Sequence, residues 1–368
     1  MNHFDFTFIY EHHSTFIAGQ SIFEAGDPGD AMYILLEGQI HIKIDDLIID
    51  ELKDGAIFGE MALVDAQTRS ASAIAFTDCK LMKIDEERFG ELASQIPQFG
   101  IAVMRIMSER TRRLIIEETA RQRMVQELAI GQDIQRGLLP EKTPEIEGWE
   151  FAAVYLTATQ VGGDFYDFIV NPDHPNNMQV VVADVTGKGV PAAIFMASMR
   201  STVRTLAHQS NTPADILRQS NRAVMEDIRT PLFLSCLIAN LNLKTGDMTL
   251  SNAGHDWPLW VRAAENVVET VEMPGFVLGM FKEISPDQHQ LQMQPGDFMV
   301  IFTDGVTEAR NSAGQFFDDD RLLATIQANQ NGSADELAAK IVEDIDQFAH
   351  GQPRSDDLTL VVIKRQLK

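Results

Sequence analysis

Four short aspartate-bearing motifs, each at the edge of an apolar run, constrain this chain more than any other feature. They read GGDFYD (162–167), ADVTGKG (183–189), FTDGVTEA (302–309) and SDDLTLVV (355–362). Asp184 ends the run QVVVA and Asp304 ends FMVIFT. Asp356 and Asp357 precede LTLVVI, and Asp164 precedes FYDFIV after two glycines that permit close backbone approach. The fold must therefore bring several strand edges to one point while the strands themselves stay apolar. A carboxylate cluster there has to be neutralised, and hard divalent cations do this best. Oxygen-only donors select Mg²⁺ or Mn²⁺ over Zn²⁺, which prefers His and Cys. Two such ions about 3.5–4 Å apart can activate a water and clamp a phosphoryl oxygen, with no serine or cysteine nucleophile. An aspartate after a strand is commonly an N-cap or turn former. Four such motifs in this order are not explained as turns, and they point to an enzyme acting on phosphate groups.

The chain changes character twice. Residues 14–83 hold short apolar or alternating runs (MYILL, IHIKI, LIIDEL) between the turn signals AGDPGD, LEGQ and LKDGA. That spacing predicts an antiparallel β-roll or sandwich. From Gln98 to Leu139 there is no proline, and Arg, Glu, Gln, Met, Leu and Ile dominate, which predicts a long helix ended by Pro140. A heptad frame runs through Met104, Met107, Thr111, Leu114, Val125 and Leu128, but also puts Glu118 and Arg121 on the seam. Glu117 and Arg121 form a favourable i,i+4 pair. A helix packed on its own domains and a dimerising connector both fit this pattern; the connector is the expectation. Beyond Pro140, strands are expected at 179–183, 233–243, 248–251, 298–303 and 358–363, with KTGD as a tight turn. Helices are expected after Pro191 and Pro213 and from the capping box Ser333–Glu336. The expected division is a sensor over 1–96, a helical connector over 97–140 and a catalytic domain over 141–368.

Charge and cysteine usage narrow the partners. Lys plus Arg number 30 against 54 Asp plus Glu, a net charge of −24. Such a surface repels nucleic acid and anionic lipid, so neither is expected as a partner, although acidity also serves solubility. Cys79 and Cys236 sit in apolar surroundings and read as buried free thiols. The start MNHFDFTFIYEHH lacks the pattern of a signal peptide, and no run is long enough to span a membrane. The expected compartment is the cytoplasm.

The ordered aspartate motifs, together with SNAGHDWP (251–258) and IQRGLLP (134–140), resemble the bacterial stage II sporulation E-type branch of the metal-dependent (type 2C) serine/threonine protein phosphatases. The resemblance covers about Gln132 to the C-terminus. It implies a multidomain protein whose C-terminal α+β phosphatase domain has a central β-sandwich flanked by helices. It also implies two Mn²⁺ or Mg²⁺ ions, with Asp184 bridging both and the Val185 carbonyl as a further ligand. Asp164 would serve one metal; Asp304 and one of Asp356 and Asp357 would serve the other, with Asp356 preferred. Gly187 and Gly189 would shape the turn beneath the site. The implied substrate is a phosphoserine or phosphothreonine protein, such as an anti-sigma-factor antagonist. His255 can be a general acid or a structural residue, the latter preferred, and Asp167 can reach a metal through water or face solvent. No equivalent of the phosphate-binding arginine of eukaryotic members is evident.

Upstream, FGEMALVDAQTRSASA (58–73) combines a helix start at Gly59, a carboxylate at Glu60 and a guanidinium at Arg69. Backbone N–H groups and a forked cation suit a phosphate, and the carboxylate suits a sugar hydroxyl. The stretch 14–84 resembles cyclic nucleotide-binding domains. That resemblance implies Glu60 on the ribose 2′-hydroxyl and Arg69 and Ser70 on the cyclic phosphate, with Gly59 and Ala62 nearby. Ser70 favours cAMP, whereas a threonine would lean toward cGMP. The combined expectation is a cyclic-nucleotide-regulated protein phosphatase, dimeric through its connector. The alternatives are a non-catalytic nucleotide-responsive scaffold, and a metal phosphodiesterase, which the lack of a His-rich motif disfavours.

Overall fold

The computed structural model describes residues 13–61, 67–210, 212–227 and 231–367. The chain divides into two compact units, Met1–Arg123 and Met124–Lys368.

Among the described residues, the first unit is a β-roll of eight short strands: β1 (Ser14–Phe16), β2 (Ser21–Phe23), β3 (Ala31–Glu37), β4 (Gln39–Ile44), β5 (Leu47–Lys53), β6 (Ile57–Phe58), β7 (Ser72–Ala75) and β8 (Cys79–Asp85). They pair antiparallel in two sheets, ordered β1-β8-β3-β6 and β2-β7-β4-β5. The period of two in β3 explains the packing. Tyr33 and Leu35 join Ile40, Ala73, Ala75 and Leu81 between the sheets. Met32 and Ile34 point the other way and are covered by Leu92, Phe99 and Val103. Leu92 comes from helix α1 (Glu86–Gln95), capped by Asp85, whose carboxylate accepts the Arg88 N–H. Phe99 and Val103 come from the start of helix α2 (Pro97–Leu138), the expected long helix, with proline at its first position. Further along α2, Leu114, Ile115 and Ile116 are all exposed. The expected Glu117–Arg121 pair gives way to Glu118–Arg121 at i,i+3, where the guanidinium engages both carboxylate oxygens at 2.8 Å.

The second unit is a sandwich of two five-stranded antiparallel sheets. Its strands are β9 (Trp149–Leu156), β10 (Phe165–Val170), β11 (Asn177–Val185), β12 (Leu234–Asn242), β13 (Asp247–Ala253), β14 (Leu259–Arg262), β15 (Val267–Thr270), β16 (His289–Gln292), β17 (Phe298–Phe302) and β18 (Leu358–Arg365). The sheet orders are β10-β11-β12-β13-β16 and β15-β14-β17-β18-β9. Alternation again divides the residues. Met299, Ile301, Val361 and Ile363 fill the space between the sheets with Val180 and Val182. Phe298, Val300, Phe302, Leu360 and Val362 face outward onto helices α6 (Asp318–Asn329) and α7 (Ala334–Ala349). Helices α3 (Val190–Ala207) and α4 (Pro213–Asp227) pack on the first sheet, and α5 (Asp304–Thr307) is a single turn after β17. The Ser333–Glu336 capping box forms in full. β9, β10 and β14–β16 lie outside the strands expected from the sequence: β9 reads WEFAAVYL, a mixed run without clean alternation, and pairs along its whole length with β18. Cys79 and Cys236 are buried free thiols. Among the described residues, no helix is long and apolar enough to cross a membrane.

Candidate active site

Strand register brings the aspartate motifs to one end of the sandwich. Phe165 at the start of β10 pairs with Ala183 near the end of β11. Phe302 at the end of β17 pairs with Leu360, and Leu358 at the start of β18 pairs with Leu156 at the end of β9. Asp164, Asp184, Asp304 and the Asp356–Asp357 pair sit at these termini. Antiparallel pairing alternates the chain direction, so starts and ends meet at the same edge.

Asp164 is buried, and its Oδ2 accepts hydrogen bonds from Thr303 Oγ1 and Thr359 Oγ1, each 2.7 Å. Burial, then Asp184, holds its pKa well above the ordinary carboxylate value. Asp184 is also raised, mainly by burial, with Asp356 and Asp357 adding to the shift. Burial, then Asp184 and Asp356, pushes Asp304 up to about 7. Asp256, beside the AGH turn, is pushed up to about 6 by burial, then by Asp184, Asp319 and Glu308. Burial and neighbouring carboxylates together thus hold Asp164, Asp184 and Asp304 up, as in a cluster lacking sufficient positive charge.

Asp356 and Asp357 differ sharply in their partners. Asp357 Oδ1 accepts the Ala158 N–H at 2.8 Å and Oδ2 the Gly163 N–H at 2.6 Å. Asp356 is half-buried, and its Oδ2 pairs with Lys188 Nζ at 2.8 Å. Lys188, within ADVTGKG, also donates to the Ser355 carbonyl. Gly187 and Gly189 have φ of +89° and +72°, the left-handed region glycine tolerates. At Gly163 a Cβ would lie 2.8 Å from the Val185 carbonyl oxygen, so only glycine lets these two turns meet.

The donor set around this edge is oxygen only: five carboxylates and the Val185 carbonyl. It suits a hard divalent cation, and the mutual upward shifts are what such a cation would relieve. Among the described residues, no three of His, Cys, Asp or Glu converge at metal-ligand spacing. The carboxylates share an edge, with Lys188 drawn onto Asp356.

Asp167 does not face solvent: it is buried and ion-paired to Arg200 at 2.9 Å and Arg204 at 2.7 Å from α3. His255 is buried, its Nδ1 lies 2.7 Å from Ser235 Oγ, and burial drops its pKa to about 4, which leaves it neutral. The sequence reading missed Lys188, Thr303, Thr359 and above all Gln135. The Gln135 side chain donates to the Gly162 carbonyl at 2.6 Å and accepts the Gly162 N–H at 2.9 Å, two residues before Asp164. A glutamine inside a helical run carries no sequence signal for such a clamp.

In the first unit, Arg69 reaches Gly59, Glu60 turns to Arg110, and Ser70 is exposed; Ala62 lies outside the described residues. Arg69 is buried, stacked 4.3 Å from the Phe23 ring centroid, and donates to the carbonyls of Gly59 at 2.8 Å and Ala31 at 2.6 Å. Asp30 lies 3.5 Å from it. Glu60 is buried and ion-paired to Arg110 of α2 at 2.5 Å. Gly59 has φ of +73°, and a Cβ there would stand 2.8 Å from Arg69 Nη1.

A two-sheet antiparallel sandwich flanked by helices, with carboxylates at one edge, defines a PP2C-type protein phosphatase, here in one chain with a β-roll. The fold matches the SiaA-PP2C domain of Pseudomonas aeruginosa with a TM-score of 0.60 at 19% identity, covering 67% of this chain and 98% of that one. The family model for stage II sporulation protein E (SpoIIE) matches residues 174–366, and that for the cyclic nucleotide-binding domain matches residues 14–95. The chain belongs to the SpoIIE family. It is 30% identical over 246 residues to the phosphoserine phosphatase RsbU of Bacillus subtilis, covering 67% of this chain and 72% of that protein. It is 27% identical over 267 residues to protein IcfG of Synechocystis, of which it spans 41%. Asp184, Asp304, Asp356 and Asp357 lie inside the span matched by the SpoIIE model, and Asp164 precedes it.

Proposed function

We propose that this protein is a Mn²⁺- or Mg²⁺-dependent phosphoserine/phosphothreonine phosphatase whose activity a cyclic nucleotide sets. The observation that carries the catalytic part is the set of carboxylates from four separate motifs at one sandwich edge, with burial and neighbouring carboxylates raising Asp164, Asp184 and Asp304. Asp164, Asp184, Asp304 and Asp356 would hold two divalent ions, with the Val185 carbonyl beside Asp184. The ions would supply charge neutralisation and an activated water. Asp357 acts as a strut: its two N–H bonds hold the turn that carries Asp164. The Thr303 and Thr359 hydroxyls orient Asp164, and Lys188 must leave Asp356 for that carboxylate to take a cation.

In the sensor, Glu60 and Arg69, with Ser70, Gly59 and Ala62, would receive the nucleotide, Ser70 favouring cAMP over cGMP. Glu60 would exchange Arg110 for a ribose hydroxyl. Arg110 and Gln135 both belong to α2, which supports the helix as the element through which the nucleotide biases the site. We assign residues 1–96 to the sensor, 97–140 to the connector and 141–368 to the phosphatase. The exposed apolar residues of α2 support a homodimer through a coiled coil. The similarity to RsbU supports an anti-sigma-factor antagonist as the phosphoprotein, acted on in the cytoplasm.

The test is hydrolysis of p-nitrophenyl phosphate with Mn²⁺, with and without cAMP or cGMP. Asp184→Asn is expected to remove at least about 100-fold of the rate, as losses of electrostatic groups at such sites do. Unaltered turnover by that variant would refute the assignment. The Lys188–Asp356 pair, and the lack among the described residues of three carboxylates at metal-ligand spacing, favour a non-catalytic scaffold, and wild-type inactivity on phosphoprotein with Mn²⁺ would establish that reading instead.

A further inference from the structure

A cavity of about 580 Å³ opens beside the phosphatase edge, lined by Gln132, Arg136, Tyr155, Thr159, Gln160 and Arg354 among others. Its size is that of a ligand site. No acidic side chain lines it, which is unusual on a chain of net charge −24. Arg136 is exposed and forms no ion pair among the described residues. Arg354 Nη2 pairs with Asp346, which is itself 57% exposed, at 2.7 Å, while its Nε is buried without a partner. An exposed pair of that kind exchanges for another anion at little cost. Tyr155 Oη is buried and unpartnered as well.

The cavity is joined to the aspartate cluster but separate from it. Ala158 lines it and donates its N–H to Asp357, whose other oxygen holds Gly163 beside Asp164. None of Asp164, Asp184, Asp304 or Asp356 lines it, so it is not where the scissile phosphate meets those carboxylates. Arg354 lies two residues before Asp356, so an anion held here belongs to the chain that flanks the phosphorylated residue. Repulsion between this acidic protein and an acidic partner is screened beyond about 8 Å at physiological salt, and the local guanidinium charge then decides.

We propose that this cavity is a docking subsite for acidic side chains flanking the phosphoresidue of the protein substrate, read by Arg136 and Arg354. The proposal rests on the phosphatase reading above. The two guanidinium groups come from the end of α2 and from the turn ahead of β18.

The test compares two phosphoserine peptides, one with Asp and Glu around the phosphoserine and one with Asn and Gln in their place. The ratio of their kcat/KM values within one enzyme is independent of the fraction correctly folded. The wild type is expected to prefer the acidic peptide by about tenfold, equivalent to about 1.4 kcal/mol. R136A/R354A loses that preference, while R222A, an exposed arginine elsewhere, keeps it. Fluorescence anisotropy with the acidic peptide lacking phosphate gives a readout that needs no turnover, and the double variant binds it more weakly. Equal ratios in wild type and double variant, or equal peptide affinities, overturn the subsite. Absent turnover on both peptides sinks the phosphatase reading instead, and anisotropy still decides the subsite.

Discussion

Replacing Gln135 by leucine keeps the volume of a buried side chain and removes both of its hydrogen bonds. The wild-type amide satisfies the Gly162 N–H and carbonyl together. Leucine leaves both main-chain groups unpaired beside a glycine that has no side chain to shield them. Each unsatisfied buried group costs about 1–3 kcal/mol, so the pair costs about 2–6 kcal/mol. Midpoints shift by about 2–4 °C per kcal/mol in a unit of this size, so Q135L is expected to lower the melting temperature of the phosphatase unit by roughly 4–24 °C. The assay is thermal unfolding of the full chain followed by near-ultraviolet circular dichroism, alongside Mn²⁺ titration of activity. Gly162 precedes the Gly163–Asp164 turn, so the half-saturating Mn²⁺ concentration rises as well. A melting shift under about 1 °C with an unchanged Mn²⁺ titration would show that the clamp neither stabilises nor positions the turn, and the reasoning would fail.

Two further outcomes follow from the same geometry. In the sensor, cAMP at one hundred times its Kd adds about 2.7 kcal/mol of stability, seen as a raised melting temperature; R69A abolishes the gain, and a gain that survives R69A would refute its role at the phosphate. In protein stripped of metal with EDTA, burial and Asp184 push Asp304 up to about 7, above its unfolded value near 4. The folded state then holds the proton that the unfolded state releases, so stability falls as pH rises from about 4 to about 7. D304N flattens that slope in urea midpoints measured across the window, and an unchanged slope would rule out Asp304 as its source.

Chemistry that depends on residue type was legible in the chain itself. Aspartate after an apolar run, paired glycines and a Glu–Arg cassette are local statements, and so were the long helix, the proline helix starts and the Ser333–Glu336 box. They follow from backbone and side-chain preferences that act within a few residues. β9 escaped notice because its stabilisation comes from full-length pairing with β18 and from helix α7, more than two hundred residues and some one hundred and eighty residues away respectively.

The sequence by itself determined the donor atoms: which oxygens and guanidinium groups exist, and that they fall at turns. Only the tertiary structure decided their partners. It tied Asp357 to two backbone N–H groups and left Asp356 to Lys188, although the two are neighbours of one type. It buried Asp167 against two arginines of α3, closed Glu60 onto Arg110 and set Gln135 against Gly162. The physical reason is that ionisation and hydrogen bonding depend on burial and on distances to groups far away in the chain, and those distances are fixed only when the sheets close.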